Sequence, residues 1–125
     1  MILDTDALSA MADGDSGLQK LLLRSREHQL PVIVIGEYRY GLKRSRERIA
    51  RERWLDELEA IFEVLPIERS TTHHYAQIRE ELRTAGTPIP ENDVWIAAIA
   101  RQHDLGIASR DVHFDLVAGI RREHW

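Results

Sequence analysis

The sequence predicts a single α/β domain built on a mainly parallel sheet, and two observations carry that prediction. Short apolar, often β-branched runs alternate with longer stretches whose apolar residues recur at helical spacing. A chain of 125 residues is long enough to close one core and too short for two, so one domain over residues 1–125, and one site, are expected.

Ile2 and Leu3 read as a short buried strand that ends in the polar run Asp4-Thr5-Asp6, with a helix following over 7–12. Gly14 and Gly17 punctuate the chain before Leu18, Leu21, Leu22 and Leu23 resume a helical apolar face. Residues 30–35, Leu-Pro-Val-Ile-Val-Ile, form a continuous apolar run of the kind found in a parallel strand covered on both faces. Gly36 is then expected to turn the chain into a helix opening near Glu37. A helix over 49–61 carries Trp54, Leu55, Leu58 and Ile61 on one face, and 62–67 is a strand candidate. Ser70, Thr71 and Thr72 offer N-caps for a helix that bears Tyr75, Ile78 and Leu82 and stops at Gly86 and Pro88. Asn92 or Asp93 is expected to cap a last, nearly all-apolar helix through Ala100, and 105–109 supplies the last clear strand. No repeat, linker or low-complexity tract interrupts this order.

Composition narrows the chemistry. The chain has no cysteine, which excludes disulfides, thiolate zinc sites and cysteine nucleophiles. The histidines His28, His73, His74, His103 and His124 lack ligand spacing and are expected at the surface. No apolar run is long enough to span a bilayer, and no secretory signal precedes Asp4, so a cytoplasmic protein is expected. The net charge of −4 is unlike a nucleic-acid binder, yet Arg39, Lys43, Arg44, Arg46, Arg48, Arg51 and Arg53 crowd one segment. That local basicity either neutralises phosphates or forms a solvated helix face with pairs such as Arg48 with Glu52. Trp54 and Trp95 sit in apolar helical patterns and read as core.

Open parallel sheets place their sites beyond the carboxyl ends of the strands. Four acids fall there: Asp4 after the first strand, Glu37 after the second, Asp93 at the start of the apolar helix and Asp111 after the last strand. Each alone has a local explanation as a cap, turn or helix-start residue. Together they describe a carboxylate cluster, whose mutual repulsion calls for a hard divalent ion such as Mg²⁺ or Mn²⁺.

Four fragments in this order resemble a known family: Ile2-Leu3-Asp4-Thr5-Asp6-Ala7-Leu8-Ser9, Gly36-Glu37-Tyr38-Arg39-Tyr40-Gly41, Asn92-Asp93-Val94-Trp95-Ile96-Ala97-Ala98, and Ser109-Arg110-Asp111-Val112-His113-Phe114 with Val117-Ala118-Gly119. The family is the PIN-domain ribonucleases, specifically VapC-type toxins of bacterial toxin-antitoxin pairs. The resemblance implies a three-layer α/β/α sandwich with a mostly parallel sheet. It implies that Asp4, Glu37, Asp93 and Asp111 bind Mg²⁺ or Mn²⁺ for RNA hydrolysis, with Ser109 helping to orient the site. It also implies a homodimer and a VapB-type antitoxin that inserts a segment into the site. Two departures stand out: Asp6 replaces a common asparagine, and His113 stands where many relatives carry a further acid, a role Asp115 is the candidate to fill in part. Thr5, Asp6, Ser109 and Asp115 therefore form a supporting set, and Arg39, Lys43, Arg44 and Arg46 are the candidate RNA contacts.

Two other functions fit parts of the sequence. Asp4-Thr5-Asp6 is similar to the paired aspartates of haloacid-dehalogenase-like phosphatases, with Asp4 as covalent nucleophile, although Leu8 departs from that motif and no second motif follows. The other is a non-catalytic domain that binds RNA or protein.

Overall fold

A computed structural model describes residues 1–125. Five short strands, β1 (Ile2–Leu3), β2 (Gln29–Pro31), β3 (Glu63–Leu65), β4 (Ile107–Ala108) and β5 (Arg122–Glu123), form one sheet in the order β3-β2-β1-β4-β5, with every pairing parallel. Six helices surround it: α1 (Thr5–Ala12), α2 (Ser16–Leu22), α3 (Val32–Leu42), α4 (Arg48–Ile61), α5 (Thr71–Ala85) and α6 (Glu91–His103). Parallel neighbours need crossovers, and their usual right hand puts α1 to α4 on one face and α5 with α6 on the other. This is the expected three-layer sandwich. No helix is long and apolar enough to cross a membrane.

The chain leaves the central strand β1 toward β2 and later returns on its other side to β4, so the order reverses there. Leu3 is in register with Ala108, which aligns the carboxyl ends of β1 and β4. The N–H of Asp4 extends the ladder to the Ala108 carbonyl at 3.3 Å. A crevice opens at such a reversal, because the flanking connections run to opposite faces.

The largest difference from the sequence reading lies at 30–35. Pairing of β2 ends at Pro31, and Val32 already begins α3, so Glu37 sits inside a helix rather than opening one. Proline has no N–H to continue a ladder, whereas at a helix start that N–H is not needed. The buried residues Val34, Ile35, Tyr38 and Leu42 recur at helical spacing, and their packing outweighs the modest helix cost of β-branched side chains. Smaller differences share a theme of caps. Asp4, not a later residue, caps α1, its Oδ1 accepting from the Ala7 N–H at 2.7 Å. Asp93 is no cap, since α6 begins at Glu91 after Pro90. Ser70 occupies the N-cap position of α5 without a side-chain bond, while the hydroxyl of buried Thr71 accepts from the Glu68 N–H at 2.9 Å and donates to Gln102 Oε1 at 2.6 Å. Gly86 ends α5 in the left-handed conformation at φ 70°, which favours a residue without Cβ.

The core is continuous, with Ile2, Leu3, Leu8, Leu18, Leu30, Leu55, Ile78, Ile96, Ile99, Ile107 and Phe114 wholly enclosed. The helix α6 buries Val94, Ile96, Ala97, Ala98, Ile99 and Ala100 in sequence, as its composition predicts. Trp54 packs against the core beside Tyr38, and half-buried Trp95 stacks on Tyr75 with ring centroids 3.9 Å apart. Truncating a side chain at the centre of this layer leaves a cavity that the rigid helix cannot collapse. Ile99→Ala is expected to lower stability by about 2–5 kcal/mol, read as a shift of the urea midpoint with an unchanged slope.

Candidate active site

The crevice is built from four elements. Asp4 follows β1, Ser109 and Asp111 follow β4, Asp93 sits in the first turn of α6 and Glu37 projects from the second turn of α3. Asp4 is the most enclosed acid, with 4% of its surface exposed, and burial pushes its carboxyl up to about 6. The neighbouring charges of Asp6 and Asp111 push the same way, opposed by hydrogen bonds from Ser109 and the Ala7 N–H. Burial also raises Asp93, and the charges of Asp111 and Glu37 add to the rise while His113 resists it. Asp111 thus acts on both Asp4 and Asp93, and Glu37 acts on Asp93. The four sequence-predicted acids influence one another, and the ligand atoms of Asp93 and Asp111, together with His113, lie within 4.8 Å of one another.

Each acid is held in place. The Thr5 hydroxyl donates to Glu37 Oε2, and the Asn92 amide donates to Glu37 Oε1 at 2.7 Å, so both oxygens of that carboxylate are fixed. Ser109 is fully buried and its hydroxyl accepts the Asp111 N–H at 2.9 Å. Asp111 Oδ1 in turn accepts the His113 N–H at 2.9 Å, starting the 3₁₀ turn Val112–Leu116. His113 turns its Nδ1 back into the cluster, 3.2 Å from Asp93 Oδ2 and 3.1 Å from Asp111 Oδ1. Sequence reasoning left out Asn92 as a functional side chain and treated His113 only as a departure. The signal for Asn92 was its place beside Asp93 on a helix that must lean over the strand ends.

Other candidates lie elsewhere. Asp115 does not replace the missing acid, because both its oxygens are held by Arg122 at 2.8 Å, which keeps its carboxyl below the ordinary range. Asp6 is exposed in the first turn of α1, near Asp4 but outside the cluster's hydrogen bonds. Arg39 is committed to α4, pairing with Asp56 at 2.9 Å and Glu59 at 2.6 Å, and this occupies the cation expected to meet phosphate. Lys43, Arg44 and Arg46 are exposed and unpaired on the segment that follows α3. The helical pair that forms is Glu47 with Arg51 at 3.1 Å, not Arg48 with Glu52.

A groove of about 320 Å³ leads from Thr5 and Glu37 past Ser9, Gly41 and Ser45 toward Glu47 and Arg51. A larger and more apolar cleft of about 610 Å³, walled by Tyr75, Leu82 and Ile89, lies on the α5 side and contains none of the four acids. The smaller groove includes Glu37 alone of the four acids and runs along the same face as Ser45, which lies within the segment that follows α3. Carboxylates thus gather at the switch point of a parallel sheet, the place where folds of this kind bind their ligands.

A family model described as PIN domain matches residues 1–120, and the chain belongs to the PIN-domain family. It is 28% identical over 120 residues to Ribonuclease VapC5 of Mycobacterium tuberculosis, covering 94% of this chain and 87% of that protein. It is 34% identical over 97 residues to the tRNA(fMet)-specific endonuclease VapC of Salmonella typhimurium, covering 74% and 71%. A crystal structure of DNA-bound VapBC from Salmonella typhimurium superposes with a TM-score of 0.88 at 25% identity, over 99% of this chain and 96% of that one. Family membership displaces the phosphatase reading of Asp4-Thr5-Asp6.

Proposed function

We propose that the chain is a VapC-type endoribonuclease that hydrolyses RNA phosphodiester bonds with Mg²⁺ or Mn²⁺ and serves as the toxin of a toxin-antitoxin pair in the cytoplasm. The observation that carries this reading is the enclosed acid cluster itself, in which Asp4 is buried beside other carboxylates with no lysine or arginine paired to it. An all-protein explanation leaves that charge uncompensated, whereas a hard cation with oxygen donors satisfies it, so the donor set fits the ion.

Asp4, Asp93 and Asp111 would hold the ion, with Glu37 holding it or a water beside it. When bound, the ion supplies positive charge, lowers the pKa of water and offsets charge developing on the phosphodiester. The protein contributes orientation. Thr5 and Asn92 keep Glu37 from rotating, Ser109 sets the backbone at Asp111, and the α6 scaffold fixes Asp93 over the crevice. Lys43, Arg44 and Arg46 follow α3, the helix that carries Glu37, and as exposed, unpaired cations they would neutralise RNA phosphates and exchange for their counterions. Capture by a VapB-type antitoxin belongs to the same proposal, because a similar solved structure is a VapBC assembly, and homodimerisation is added on the family resemblance.

The test is cleavage of total cellular RNA by the purified chain. Cutting is expected to cease in a chelator, to return with Mg²⁺ or Mn²⁺, and to be suppressed when the product of an adjacent antitoxin gene is co-expressed. Cutting that continues undiminished in the chelator would overturn the metal-dependent reading. Sequencing the new RNA ends identifies the target.

A further inference from the structure

The side chain that the four-acid site does not explain is His113. Its ring nitrogen lies 3.1 Å from Asp111 Oδ1 and 3.2 Å from Asp93 Oδ2, almost the same distance from both. A neutral imidazole has one N–H and can direct it from Nδ1 to only one of two oxygens. Both distances lie within hydrogen-bond range, and the same spacing suits donor atoms arranged around a shared cation. Ligand atoms of Asp93, Asp111 and His113 all lie within 4.8 Å of one another. Adjacent donors on a six-coordinate ion with bonds near 2.1 Å are roughly 3 Å apart, which is the spacing seen around Nδ1.

The ring is also positioned rather than incidental. Asp111 accepts the backbone N–H of His113 at 2.9 Å, so the residue that supplies a carboxylate also fixes the turn that presents the imidazole. The turn packs through Phe114, which is 1% exposed, so the backbone carrying His113 is anchored in the core.

We propose that Nδ1 of His113 is a ligand to the ion held by Asp93 and Asp111, and that this nitrogen shifts the site's preference from Mg²⁺ toward Mn²⁺. The inference rests on the metal-site reading above and goes beyond it by adding a nitrogen donor and a selectivity. Mg²⁺ takes oxygen ligands and gives up its waters reluctantly, whereas first-row transition ions accept imidazole readily. As ligand, Nδ1 presents its lone pair and the ring carries its proton on Nε2.

The experiment is Mn²⁺ binding to the full chain, followed by pulsed electron paramagnetic resonance, with no RNA present. The wild-type complex is expected to show a ¹⁴N coupling that disappears in His113→Asp and His113→Ala. In competition titrations the preference for Mn²⁺ over Mg²⁺ is expected to fall about tenfold in His113→Asp, which restores an all-oxygen site. Stoichiometric Mn²⁺ binding that depends on Asp93 and Asp111 but lacks the ¹⁴N coupling overturns the role of His113 and leaves the metal site standing. A coupling that persists in both variants likewise overturns it. Absence of any Mn²⁺ binding that Asp93→Asn or Asp111→Asn can weaken overturns both readings together. If one variant fails to fold, the other supplies the comparison with the wild-type spectrum.

Discussion

Replacing Asp93 by asparagine is expected to reduce RNA cleavage by about a hundredfold or more while the chain stays folded. The substitution preserves size and hydrogen-bonding capacity, and Asp93 makes no backbone cap that folding requires, since α6 starts two residues earlier after Pro90. What it removes is a charge. Asp93 stands between the other members of the cluster, feels Asp111 and Glu37 directly, and contacts His113 Nδ1. Without it the remaining acids lose their common neighbour and any ion loses a ligand. Asp115→Asn is the matched control, because that carboxylate is exposed and bound to Arg122, and its loss is expected to leave the rate nearly unchanged. Single-turnover cleavage of one RNA by the three proteins measures the difference. Equal rates for wild type and Asp93→Asn would remove Asp93 from the site.

The second large effect concerns stability. With metal chelated at neutral pH, Asp4→Asn is expected to be more stable than the wild type by about 2–3 kcal/mol. Burial raises the folded-state pKa of Asp4 to about 6, above its value in the unfolded chain. Between about pH 4 and about 6 the folded state therefore holds the proton that the unfolded state has released, and stability falls as pH rises through that window. Above it, the full cost of a buried carboxylate is present. Asparagine carries no charge and still caps α1 at Ala7, so it escapes the cost without losing the cap. Urea unfolding at pH 7.5 and at pH 4 tests this: the advantage is expected at the higher pH and should vanish at the lower. Added Mn²⁺ should then raise the wild type and not the variant, since only the wild type keeps the full ligand set. A variant that is less stable at both pH values would show that burial of Asp4 is not a stored cost.

Much of the fold was legible because length and pattern agreed. The helices α4 and α5 carry long apolar faces at helical spacing, and Gly86 marks a stop that only one backbone conformation satisfies. The stretch 30–35 was misread because β-branching and helical periodicity conflict there. The choice depends on how Tyr38 and Leu42, outside the run, pack against the rest of the core. For the site, the positions of Asp4 and Asp111 followed from strand ends, which sequence marks well. Glu37 was placed at a helix start, whereas it projects from the body of α3. The pairing of Arg39 with Asp56 and Glu59 was hidden because it depends on how α3 and α4 cross. Asn92 and His113 were obscured for the same cause: their partners lie far away in sequence, and no spacing rule connects residue 92 with Glu37 or residue 113 with Asp93.

The parallel pairing of β1 with β4 has a consequence for synthesis. Asp4 leaves the ribosome long before Asp111, and the strand that aligns them, β4, cannot join β1 until the intervening helices have been made. The nascent polypeptide therefore carries Asp4 and Asp111 apart until β4 has emerged and docked beside β1.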